Sequence, residues 1–227
     1  LGIGNNKDLA LIDFPLQIED AQKLKISVVL EGTEYRNSWP IWVYPEIEIN
    51  ISGDIVTTSS FEEAKKALKE GKKVFLNPKL EDIKGKTGRF VPVFWSPVHF
   101  PDQPGTMGLL IDEQHPALKD FPTSSHTQWN WWDLCIQSKS VVIDGTELKP
   151  IVRVIDNFVA NNSLANVFEA KVGEGSLLFT SIDLQNELDS RPVAKQLKQS
   201  LLNYMSSKDF QPDIDVSENI LDGLKEN

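Results

Sequence analysis

The stretch Asp54-Ile55-Val56-Thr57-Thr58-Ser59-Ser60-Phe61-Glu62-Glu63-Ala64-Lys65-Lys66-Ala67-Leu68-Lys69-Glu70-Gly71-Lys72-Lys73-Val74-Phe75-Leu76-Asn77-Pro78 decides how the chain folds. It opens on a short β run, and residues 72–77 form a second one that Pro78 halts. Between them Ser60 and Glu63 have the spacing of a capping box, in which a hydroxyl reaches the N3 amide and a carboxylate reaches back. Phe61, Ala64 and Leu68 share one helical face, and Gly71 closes the helix. A strand, a helix and a strand in so short a span predict two parallel strands joined by a crossover helix, the unit of an α/β sheet.

Working outward, Ile47, Ile49 and Ile51 alternate just ahead of this unit, and residues 89–95 make a third β run broken by Ser96-Pro97. Residues 96–136 are loop-rich, with prolines at 97, 101, 104, 116 and 122, and long loops in a compact domain usually serve function or an interface. Strand patterns resume at 141–143, 151–155, 167–172 and 177–182, the last two joined by Gly173-Glu174-Gly175. Pro192 suits the first turn of a final helix whose stripe is Val193, Leu197, Leu201 and Tyr204. After Met205 the chain turns polar and acidic, and a loosely held tail is expected over 208–227.

Upstream, residues 10–16 carry Leu11, Ile12 and Phe14, and residues 23–30 alternate Leu24, Ile26, Val28 and Leu30 against Lys25, Ser27 and Val29. A turn at Glu31-Gly32-Thr33 leads into Trp39, Ile41, Trp42, Val43 and Tyr44. Three strands fall short of the about seven that a sandwich uses. The chain also opens on Leu1-Gly2-Ile3-Gly4 rather than on methionine. The expectation is the downstream part of a longer polypeptide: a sandwich remnant over 1–45, an α/β domain over 46–207 and an acidic tail over 208–227.

The 227 residues hold 23 basic and 33 acidic side chains, a net charge of −10. A surface of that sign repels nucleic-acid backbones and acidic membranes, and no apolar run approaches the roughly 18 residues of a membrane span. The single cysteine, Cys135, excludes an internal disulfide and a multi-cysteine zinc site.

Two blocks carry a family resemblance. Residues 30–45, Leu-Glu-Gly-Thr-Glu-Tyr-Arg-Asn-Ser-Trp-Pro-Ile-Trp-Val-Tyr-Pro, resemble the end of an immunoglobulin-like β-sandwich in secreted bacterial proteins of glycoside hydrolase family 2, the β-galactosidase-like enzymes. Residues 94–134, from Phe-Trp-Ser-Pro-Val-His-Phe through His-Pro-Ala-Leu to Gln-Trp-Asn-Trp-Trp-Asp-Leu, resemble the domain that follows in those proteins, as do 168–183 and 191–205. That domain is similar in fold to class I glutamine amidotransferases, a flavodoxin-like, doubly wound α/β sheet. The resemblance implies a non-catalytic C-terminal accessory domain, periplasmic or extracellular, whose partners are the catalytic and sandwich domains of a parent chain.

The residues themselves offer little catalytic chemistry. Amidotransferases use a cysteine on a glycine-lined elbow with a downstream histidine and glutamate. Cys135 has no such glycines, and the last histidine is His126. Ser96 follows a strand with His99 three residues on and His126 in the same region, so these three are the candidates for a degenerate hydrolase, although Trp95 and Pro97 flank the serine where small residues are needed. His99, His115 and His126 match no compact zinc spacing, and neither a metal nor a cofactor is implied. The tryptophans are the positive signal, since indoles stack on the flat C–H faces of sugars while amides and acids bind the hydroxyls. Trp95, His99, Gln128, Trp129, Asn130, Trp132 and Asp133 form the candidate carbohydrate site, and interdomain packing is the competing role for the same indoles.

Overall fold

In the computed structural model, which describes residues 11–90, 98–100 and 106–226, the alternation of the N-terminal segment closes into a hairpin. Strand β1 (Gln22–Val29) pairs antiparallel with β2 (Arg36–Val43), with Ile26 opposite Trp39. The Leu30 N–H donates to the Tyr35 carbonyl at 3.0 Å, and Gly32 takes the turn at φ +77°, where a side chain is strained. Pairing puts Leu24, Ile26, Val28, Trp39 and Ile41 on one face, with Lys23, Lys25, Ser27, Ser38 and Trp42 on the other. These two strands form a separate sheet.

Among the described residues, the rest of the chain is built on a nine-stranded mixed sheet. The deciding stretch folds as its pattern predicts: β3 (Ile55–Thr58), α1 (Phe61–Lys69) and β4 (Lys73–Leu76), with the two strands parallel. Then come β5 (Lys86–Thr87), β6 (Thr106–Ile111), α2 (Trp132–Ile136), β7 (Lys139–Val142), β8 (Val152–Asp156), β9 (Ser163–Val172), β10 (Gly175–Thr180), α3 (Pro192–Ser206), β11 (Asp215–Val216) and α4 (Ile220–Leu224). The sheet runs β3-β4-β10-β9-β7-β5, with β8 joining β6 to β9 and β11 added beside β9.

The expected flavodoxin-like, doubly wound sheet is not what forms. Among the described residues, strand outweighs helix, 31% against 21%. Parallel pairing among the described residues is confined to β3, β4 and β10 and to the two-residue β11 on β9, while β9 runs antiparallel to β7, β8 and β10. The physical reason lies after residue 77. Parallel neighbours need a long crossover, whereas β9 and β10 are joined by a tight turn at Gly173, φ +60°. The strand–helix–strand unit is thus local to β3 and β4.

The 208–227 segment also departs from expectation. β11 pairs with β9, and α4 buries Leu221 and Leu224 to 2% exposure or less, so the predicted tail is docked on the core rather than loosely held. The β run read over 89–95 falls mostly outside the described residues.

The sheet separates two cores. Val74, Leu76, Leu177 and Phe179 face α1, while Phe75 and Leu178, one residue out of phase, face α3. Among the described residues no helix is long and apolar enough to cross a membrane.

Candidate functional site

The tryptophan loop is held by β6. The Ile111 N–H donates to the Ser125 carbonyl at 2.9 Å and the Leu109 N–H to Thr127 Oγ1 at 2.7 Å, so residues 125–127 lie along the strand. A 3-10 turn over Trp129–Trp131 then runs into α2. Such tight winding sends successive side chains in different directions, and the three indoles part company. Trp131 is fully buried, donating from Nε1 to Thr123 Oγ1 at 2.8 Å and meeting Phe121 edge-on at 5.4 Å. Phe121 in turn stacks on Tyr44, where the chain leaves the hairpin. Trp131 is therefore packing. Trp129 is 70% exposed and leans on Phe90 at 5.2 Å, and Trp132 is 49% exposed.

The polar partners proposed for a sugar divide likewise. Gln128 Nε2 lies 3.2 Å from His126 Nε2, beside the exposed Trp129 in sequence. Asn130 is buried and donates to the Pro122 carbonyl, and its amide only partly offsets the burial that raises the neighbouring Tyr44 phenol. Asp133 is engaged by Arg191, whose Nε donates to both carboxylate oxygens at 3.1 and 2.9 Å. The same guanidinium donates to the Asn186 carbonyl and lies 3.8 Å from Asp183. Burial works against the Asp183 carboxylate, yet Asn186, the backbone N–H groups of Gln185 and Asn186, and Arg191 hold it below the usual carboxylate range. This cluster ties α2 to the start of α3 and engages both Asp133 carboxylate oxygens. His99 is exposed, while Trp95 and Ser96 lie outside the described residues.

The other reactive groups are structural. Burial pushes the Cys135 thiol up to about 12, which keeps it neutral and unreactive. His115 Nδ1 accepts from the Ala117 N–H and caps the turn over Pro116–Leu118, with its pKa lowered by burial. Asp156 sits with its side chain 1% exposed, taking Lys86 at 2.6 Å and the N–H groups of Asn157 and Asn162, which fixes the loop between β8 and β9. Among the described residues no group of three or more His, Cys, Asp or Glu side chains could hold a metal ion.

The carboxyl edge of parallel strands is where such sheets usually bind ligands, and Trp95 and Ser96, at the end of the β run read over 89–95, lie outside the described residues. The described part of that edge carries a different feature, a cleft of about 310 Å³ lined by Thr57, Thr58, Ser59, Glu63, Asn77 and Lys198, among others. No sequence motif marks it, because its walls come from β3, α1, the end of β4 and α3. The one pointer is the general preference of parallel strand ends for ligands.

Comparison with known proteins gives two matches to family models. One, described as "Domain of unknown function (DUF8488)", covers residues 1–45, and the other, "Domain of unknown function (DUF8487)", covers residues 55–226. No curated protein matches the chain. Because the second model spans well over half of the 227 residues, including the whole mixed sheet, the chain belongs to the DUF8487 family.

Proposed function

We propose that the chain is a non-catalytic accessory region of a glycoside hydrolase family 2-like, carbohydrate-degrading protein, docked through its hairpin onto the sandwich and catalytic domains of that protein. The observation that supports this reading is the open apolar face of the hairpin. Ile26, Val28 and Trp39 stand 44%, 53% and 47% exposed, although strand pairing gathers them on one side. A two-stranded ribbon cannot bury its own apolar face, and a second sheet stacked about 10 Å away would cover it as the facing sheet of a sandwich does. Uncovered patches of this kind mark interaction surfaces. Three other reactive side chains, Cys135, Asp133 and His115, are meanwhile committed to packing, an ion pair and a turn cap. A periplasmic or extracellular setting goes with this reading.

The test compares amide hydrogen exchange of residues 22–43 in this chain alone and mixed with the sandwich and catalytic domains of the proposed parent. Protection gained on mixing supports docking. Equal exchange in both samples overturns it.

The exposed indole of Trp129 favours a second reading, a carbohydrate-binding platform formed with Trp132, His126 and Gln128. Its test is a tryptophan-fluorescence titration with mono- and oligosaccharides. A saturable shift lost in Trp129→Ala supports the platform, and a flat response to millimolar sugar leaves these indoles as surface for another domain.

A further inference from the structure

We propose that the cleft at the carboxyl end of β3 and β4 binds a small oxyanion, a carboxylate or phosphate group, held by the Lys198 ammonium and the hydroxyls of Thr57 and Ser59. The register sets its floor: Thr57 pairs with Phe75 and Thr58 with Leu76, so β3 and β4 end together. Thr57 lies on the same side of β3 as Ile55, whose core includes Phe75 and α3, and α3 supplies Lys198 to the same cleft. The volume of about 310 Å³ suits a ligand of monosaccharide size or smaller.

The groups around the cleft fall into two sets. One set is already satisfied. Thr58 Oγ1 donates to Glu63 Oε2 at 2.5 Å and accepts from the Ser60 N–H at 3.0 Å. The Asn77 amide donates to the carbonyls of Thr180 and Ile182 and accepts from the Leu184 N–H, while Gln185 Nε2 donates to the Asn77 carbonyl. The other set consists of Lys198 Nζ, Thr57 Oγ1 and Ser59 Oγ, which have no hydrogen-bond or ion-pair partner among the described residues. Three donors without a partner among the described residues, one of them cationic, thus line one cleft.

Electrostatics points the same way. Lys198 is half-buried, and burial lowers its pKa, an effect that Asp183 only partly offsets. Asp183 itself is held by Asn186 and Arg191, and Glu63, the carboxylate on the cleft wall, is held by Thr58. A half-buried ammonium with no direct ion pair among the described residues gains from an anion that enters with its own acceptors, and such charge-assisted hydrogen bonds are the strong ones. A neutral sugar would leave that charge uncompensated.

This inference goes beyond the accessory reading and does not depend on it. The experiment is a ¹⁵N–¹H NMR titration of the chain with inorganic phosphate, acetate, glucuronate and, as the neutral control, glucose. Saturable shifts confined to residues 57–59, 77 and 185, with a Kd of about 1 mM, are expected for at least one anion and not for glucose. Saturation by phosphate alone, or by the two carboxylates alone, supports the site and identifies the source of the oxyanion. Lys198→Met should weaken binding at least about tenfold and Lys198→Arg should keep most of it. Thr57→Val, at an exposed position, should weaken it in a chain whose spectrum stays folded. Absence of saturable shifts at these residues with every anion, equal response to glucose, or binding indifferent to both Lys198→Met and Thr57→Val would overturn the proposal.

Discussion

The hairpin and the mixed sheet use the same alternation with opposite results. In β4, Val74 and Leu76 are fully buried against α1, and Phe75, pointing the other way, is fully buried beneath α3. In β1, Leu24, Ile26 and Val28 alternate just as regularly with Lys23, Lys25 and Ser27, yet Ile26 and Val28 face solvent. The pattern is shared and the cover is not. Alternation states which face must be buried and is silent on what buries it. Residues 55–226 supply their own cover on both faces. The hairpin is anchored at one end, where Tyr44 stacks on Phe121 and Lys23 Nζ donates to Ser124 Oγ at 2.9 Å, and is open over the rest of its length.

The largest contrast should appear in paired core substitutions. Phe179 in β10 is fully buried and stacks on Phe168 at 5.0 Å, so Phe179→Ala should cost about 3–5 kcal/mol in denaturant unfolding. Ile26→Ala, at a position equally apolar in pattern, should change the stability of this chain by no more than about 0.5 kcal/mol. A cost at Ile26 approaching that at Phe179 would mean the hairpin face is covered after all. A smaller effect is expected where α2 meets α3. Asp133→Ala removes the carboxylate from Arg191, whose side chain is 9% exposed, and should cost about 2 kcal/mol, discounted because Asp133 itself is partly solvated. Asp133→Asn should recover part of the loss, and both should leave hairpin exchange unchanged. The same cost for Asn as for Ala would remove the hydrogen-bonding argument.

The smallest effect sharpens the comparison through pH. Burial raises the Glu169 pKa and Asp213 adds to it, while the hydrogen bond from the Tyr204 hydroxyl at 2.7 Å opposes both. The folded chain therefore keeps this proton at pH values where the unfolded chain has released it. The native state binds more protons, and its contribution to stability falls as pH rises from the ordinary glutamate range through the raised one. Denaturant midpoints measured across that window should show this slope in the parent chain and a flatter one in Glu169→Gln. Parallel slopes would assign the pH dependence to other groups.

Much of the fold was legible. The β3–α1–β4 unit, the Ser60 cap, the glycine turns and the α3 stripe follow from spacing, because each depends on residues near one another in sequence. The capping box shows the limit: Ser60 does accept from the Glu63 N–H at 3.3 Å, but the Glu63 carboxylate turns to Thr58 instead of reaching back. Sheet order was not legible, because the parallel pairing of β10 with β4 joins residues about a hundred positions apart. Acidic composition masked the spacing of Ile214, Val216, Ile220, Leu221 and Leu224, which dock the C-terminal segment. At the site, Trp129 and Trp132, both chosen from the sequence, are exposed and their neighbour Trp131 is buried, but the burial of Asn130 between them depends on a 3-10 turn that no local spacing marks. The Lys198 cleft was invisible because residues 57–59, 77 and 198 meet only in three dimensions.

The central claim, a self-sufficient mixed sheet carrying a hairpin that awaits its cover, is tested most directly by native-state hydrogen exchange on the chain alone. The account predicts rapid exchange over residues 26–38, intermediate protection over 41–44 where the hairpin meets Phe121, and the slowest exchange in β9 and β10. Protection of 26–38 equal to that of β9 and β10 would contradict it, because a hairpin that stable has already found its cover within this chain.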